Sequence, residues 1–116
     1  MINEFRRARR RKIADIILVT DAMTDVVVGR IGNLSESGML LIASAPLVED
    51  ALYQLRFPLH DARGIDSMFE LGAHLLWIDN ASAPGQSWAG LRFLAVTEDH
   101  ARRLRQWIDA PGGQFE

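Results

Sequence analysis

Residues 26–44 read VVVGRIGNLSESGMLLIAS: two short runs of aliphatic and β-branched residues joined through NLSESG at 33–38. Short apolar runs separated by Asn, Ser and Gly form a hairpin pattern, because those residues supply the side-chain hydrogen bonds and backbone freedom that tight turns require. Gly38, at the start of the second run, is placed to take a positive φ. The same reading extends outward along the chain. ADIILVT (14–20), ALYQLRF (51–57, ending at Pro58), SMFELGAHLLWI (67–78) and SWAGLRFLAV (87–96) are further strand candidates. SAPLVED, PLHDARGID and DNASAPGQ lie between them and carry turn chemistry. Six short strands without helical segments between them predict an antiparallel barrel or sandwich.

The period changes at the end. In TEDHARRLRQWIDAPGG, Thr97 is an N-cap followed by Glu98 and Asp99, with Arg102, Arg103 and Arg105 towards the other end. That order suits a helix dipole. Ala101, Leu104 and Ile108 recur at helical spacing with Trp107 alongside, and Pro111-Gly112-Gly113 stops the run. The chain therefore reads as one domain: a basic, flexible segment at 1–12, a β-body at 13–96 and a helix at 97–110.

Composition narrows the function. The 116 residues include no cysteine, which excludes disulfides and thiolate metal sites. His60, His74 and His100 are scattered over different segments, so no metal site is expected. There is no Ser-His-Asp or Cys-His arrangement and no phosphate-cradling Gly-rich loop. A non-enzymatic, cytoplasmic protein without a membrane span is expected.

Charge is unevenly placed. Residues 1–12 hold Arg6, Arg7, Arg9, Arg10, Arg11 and Lys12 against Glu4 alone, a net of +5. Residues 13–116 hold seven basic and fourteen acidic residues, a net of −7. A nucleic-acid binder spreads basic charge over a face of its fold. One cationic segment on an acidic body favours a local anion site, and nucleic acid is not the expected partner. The bland alternative, a solvated tail, has to be weighed against NLSESG. If the first two strands form a hairpin, the arginine segment lies beside that turn.

Arginines at R-x-x-x-R spacing, followed one hairpin later by Asn33-x-Ser35-x-x-Gly38, resemble the two motifs of the PilZ domain family, bacterial receptors for cyclic di-GMP. The first motif fits as Arg6 with Arg10 or as Arg7 with Arg11; the second of these gives the more usual spacing to Asn33. LLWIDN and WAGLRFLAVTEDHARRLRQWI resemble the family's last two strands and terminal helix. The resemblance implies an all-β fold with one C-terminal helix, a six-stranded antiparallel barrel. It also implies cyclic di-GMP as ligand, no other cofactor, and an unidentified protein partner in motility, pilus, exopolysaccharide or virulence control. A monomer or weak dimer is expected.

The residues implied at the ligand are Arg6, Arg7, Arg10, Arg11, Asn33, Ser35 and Gly38. Trp77 and Gly90 border the pocket, although the simpler reading of Trp77 and Trp88 is barrel packing and that of Gly90 is close strand approach. The chemistry suits the ligand. A guanidinium fork meets a phosphate, or guanine O6 and N7, through paired hydrogen bonds, and its flat face stacks on a purine. Asn at position 33, where Asp is also common, gives up a charge-assisted bond to the guanine donors. Two other classes fit less well: a PilZ-fold adaptor that binds no nucleotide, and a small barrel that binds nucleic acid through its basic arm.

Overall fold

The computed structural model describes residues 9–60, 64, 66–81 and 83–116. Seven strands and one helix follow in order: β1 (Arg11–Lys12), β2 (Leu18–Asp21), β3 (Val26–Leu34), β4 (Gly38–Ala43), β5 (Leu52–His60), β6 (Asp66–Asn80), β7 (Ser87–Leu94) and α1 (Glu98–Ile108). Strands β2 to β7 close a six-stranded antiparallel barrel in the ring order β3-β2-β5-β6-β7-β4, with β4 returning to β3. The short β1 pairs with Asn33 and Leu34, beyond the stretch of β3 that β2 covers, and so extends the first stave of the barrel.

Period-two alternation fills the interior. Leu55, Phe57 and Leu59 of β5, Phe69, Leu71, Ala73 and Leu75 of β6, and Ala89, Leu91 and Phe93 of β7 are all buried. Phe57 stacks on Phe69 with ring centroids 5.8 Å apart and on Phe93 at 6.3 Å. Such pairs add about 0.5–1.5 kcal/mol to the burial of the rings themselves. Leu104 and Ile108 of α1 are buried, and Leu104 joins the barrel core. Thr97 caps the helix as expected, its Oγ1 accepting from the His100 N–H at 3.1 Å, a contact worth about 1 kcal/mol.

Two details differ from the sequence expectation. Strand β5 does not stop at Pro58 but continues to His60, with Pro58 opposite Met68. Strand β2 pairs with Leu55 and Arg56 of β5, so among the described residues Pro58 has a ladder partner only on its β6 side, and the missing N–H costs no ladder bond. Gly38 does not take a positive φ. Its small size is needed for a different reason: a Cβ there would lie 2.1 Å from the Leu91 carbonyl oxygen of β7.

Of three register shifts, at Val28, Gly32 and Leu76, the last two decide the facing of Asn33 and Trp77. Ile31 pairs with Leu41, yet Asn33 pairs with Leu40, so Gly32 is an extra residue. Without that insertion Asn33 would point into the barrel and Leu34 out of it, because facing alternates residue by residue. With it, Leu34 is fully buried and Asn33 joins Leu40 on the outer surface. Leu76 is the matching insertion in β6. Leu75 pairs with Leu91 and Trp77 with Gly90, which turns Trp77 outward and Ile78 against the core.

Candidate functional site

The cross-strand pairs form one row on the outside of the barrel: Lys12 with Asn33, Asn33 with Leu40, Leu40 with Gly90 and Gly90 with Trp77. At about 4.8 Å per strand, the three steps from Asn33 to Trp77 span about 14 Å. Trp77 narrows that distance by lying across Gly90. A Cβ on Gly90 would sit 2.3 Å from Trp77 Nε1, so the glycine is what lets the indole lie on the strand. Trp77 remains 43% exposed. It is therefore surface rather than core, and the row ends on an open aromatic face.

At the other end the arginine segment and NLSESG meet, as the hairpin argument anticipates. The two neighbouring arginines point to opposite sides, as a strand requires. Arg10 takes the Asn33 side, its Nη1 donating to Asn33 Oδ1 at 3.0 Å. Burial pushes the Arg10 guanidinium below the usual arginine range, and the nearby Glu116 carboxylate opposes that shift. Arg11 takes the Leu34 side and reaches the end of α1. Its Nη1 donates to the Trp107 and Ala110 carbonyls, each at 2.9 Å, and its guanidinium lies 4.9 Å from the centre of the Trp107 ring. Cations at a helix C-terminus complement both the unpaired carbonyls and the dipole. Arg9 pairs with Asp109 at 3.1 Å and lies 3.9 Å over the Phe115 ring. Within the described residues, β1 is hydrogen-bonded on both edges, to β3 on one side and to Gln114 and Glu116 on the other. Arg6 and Arg7 lie outside the described residues.

Ser35 and Gly38 shape the turn itself. The Ser35 hydroxyl is fully buried and accepts from the Ser37 and Gly38 N–H groups, both at 3.2 Å. Ser35 thereby holds the turn in the conformation that presents Asn33, and in this structure its oxygen faces the loop. Asn33 is 4% exposed, covered by Arg10 on one side and by Glu116, whose carboxylate accepts from Asn33 Nδ2. Arg11 as a helix anchor, and Glu116 as a neighbour of Asn33, carried no signal in the sequence. The alternation of Arg10 and Arg11 could have been read only once β1 was known to be a strand.

Among the described residues there is no group of three or more His, Cys, Asp or Glu side chains placed to hold a metal ion. His74 lies 2.6 Å from Asp50 and His60 pairs with Asp66. No helix among the described residues is long and apolar enough to cross a membrane.

Strands β2 to β7 thus form a closed barrel, with an arginine segment folded onto an Asn-x-Ser-x-x-Gly turn. The PilZ domain model matches residues 4–110, and the chain belongs to the PilZ domain family. Solved structures with the same fold include YcgR from Escherichia coli in complex with c-di-GMP, 22% identical with a TM-score of 0.67 over 88% of this chain and 43% of that one. The inhibitor of motility MotI/DgrA from Bacillus subtilis is 16% identical, with a TM-score of 0.73 over 91% of this chain and 49% of that one. The isolated PilZ domain of Escherichia coli YcgR with c-di-GMP is 20% identical, with a TM-score of 0.65 over 86% of each chain. The chain thus spans less than half of the first two proteins. Comparison with curated proteins gives no match.

Proposed function

We propose that this chain is a receptor for cyclic di-GMP that binds the nucleotide without transforming it and passes the binding event to a protein partner. The observation that carries this reading is the contact between Arg10 and Asn33. It joins the two motifs at one end of an outward row whose other end is Trp77. The row offers what a compact dianion with two guanines needs. Arg10 supplies parallel N–H donors for a phosphate or a guanine O6/N7 edge. Asn33 both donates and accepts at a base edge, and the open indole offers a stacking face at nucleotide distance. A bacterial, cytoplasmic setting goes with this ligand.

Of the two arginine registers, Arg6 with Arg10 is the one we favour. Arg10 shares the Asn33 face, whereas Arg11 would have to release the Trp107 and Ala110 carbonyls before it could reach a ligand. In this register Phe5, not Arg6, precedes the first motif arginine. Ser35 and Gly38 act mainly by shaping the loop, one by closing the turn and the other by letting β4 approach β7. The reading is tested by titration with cyclic di-GMP against its adenine analogue. Saturable binding of the guanine ligand alone supports it, and equal binding of both or of neither refutes it.

A further inference from the structure

After α1 the chain reverses and returns to the site. Gly112, at φ +87°, makes a turn that an L-residue rarely adopts. Gly113 passes so close to Arg11 that a Cβ would lie 3.1 Å from its guanidinium carbon. Residues 114–116 then run antiparallel to the arginine segment, on the edge of β1 that β3 leaves open. Lys12 N–H donates to the Gln114 carbonyl at 2.8 Å and Glu116 N–H to the Arg10 carbonyl at 3.1 Å, with Arg11 opposite Phe115. Phe115 lies beneath the Arg9 guanidinium at 3.9 Å. Glu116 places its carboxylate on the Asn33 amide, where its charge also acts on Arg10.

A carboxylate and a cyclic dinucleotide make the same demand on this corner. Both present acceptor oxygens to the Asn33 N–H₂ and negative charge to the nearby Arg10 guanidinium, and the Asn33 side chain is already covered. From this geometry we infer that residues 114–116 are an internal competitor for the nucleotide site. Glu116 holds the Asn33 donor that the ligand takes, and binding expels the segment. The inference rests on the reading of the chain as a cyclic di-GMP receptor. Expulsion has a structural consequence: the open edge of β1 and the Arg9 guanidinium lose their cover together, so occupancy of the site becomes a change of surface beside the end of α1. The expelled contacts are two backbone bonds, one cation–π contact and one charged hydrogen bond. They are few enough for a dianion to displace and numerous enough to be measured.

The test compares the intact chain with Glu116→Ala and Phe115→Ala. Calorimetric titration with cyclic di-GMP is combined with hydrogen exchange at the Lys12 and Glu116 amides. Both variants are expected to bind about five- to tenfold more tightly than the parent, since losing one such contact in the unliganded state is worth about that factor. In the parent, saturating nucleotide should speed exchange at both amides. Equal or weaker binding by the variants, or slower exchange at Lys12 and Glu116 in the complex, would overturn the inference while leaving the receptor reading intact. If no variant binds, the receptor reading fails, and the competitor role fails with it.

Discussion

Arg10 and Asn33, 23 positions apart in the sequence, meet side chain to side chain at 3.0 Å. The bulge at Gly32 turns Asn33 outward, and the pairing of β1 with β3 brings Arg10 alongside. If the pair forms the ligand corner, Arg10→Ala and Asn33→Ala should each weaken cyclic di-GMP binding about 10- to 100-fold, the range for a charged hydrogen bond lost at a partly desolvated site. The unliganded proteins should lose only about 1 kcal/mol of stability. Calorimetry and thermal melts together check this, and unchanged affinity in both variants would remove the pair from the site.

Arg11 should behave differently from its neighbour. It ties β1 to the carbonyls ending α1 and stacks on Trp107. Arg11→Ala is expected to cost about 2 kcal/mol and to lower the melting temperature by several degrees before any ligand is added. Its effect on affinity should be smaller than that of Arg10→Ala. The reverse ranking, with binding lost and the melt unchanged, would favour the Arg7/Arg11 register.

Ser35→Ala leaves the buried Gly38 N–H and the part-buried Ser37 N–H without their hydroxyl acceptor. A loss of about 1–2 kcal/mol is expected, with weaker nucleotide binding as the turn loosens. Gly38→Ala should be worse, at least about 2 kcal/mol, because the added carbon meets the Leu91 backbone oxygen rather than a movable side chain. Denaturant titrations of the two variants check the order.

The six barrel strands and the helix were legible because apolar alternation and turn residues mark them, and Thr97 announced the cap. The meeting of the arginine segment with NLSESG followed from a hairpin alone. What the sequence hid was parity. Nothing in RIGNLS says that Gly32 is an extra residue, or in HLLWID that Leu76 is, and each insertion reverses the facing of everything after it. The return of residues 114–116 to β1 was equally hidden, since a three-residue pairing has no periodicity to display. Pro58 misled for a related reason: proline ends a strand only where both sides are paired.

Trp77 supplies a spectroscopic handle. Because the indole is exposed and rests on Gly90, Trp77→Ala should leave the melting temperature within about 2 °C of the parent's while weakening cyclic di-GMP binding about tenfold, a loss within the range for base stacking. Gly90→Ala should lift the ring off the strand and weaken binding in the same direction. Nucleotide should change the fluorescence of the parent more than that of Trp77→Ala. Equal changes in the two proteins would place the indole outside the ligand platform.

The most direct test of the receptor account is calorimetric titration of the folded chain with cyclic di-GMP at near-physiological salt, with cyclic di-AMP as control. The account predicts saturable binding of the guanine dinucleotide alone, weakened about 10- to 100-fold in Arg10→Ala. Absence of binding at tens of micromolar, confirmed by a second method on folded protein, would contradict it.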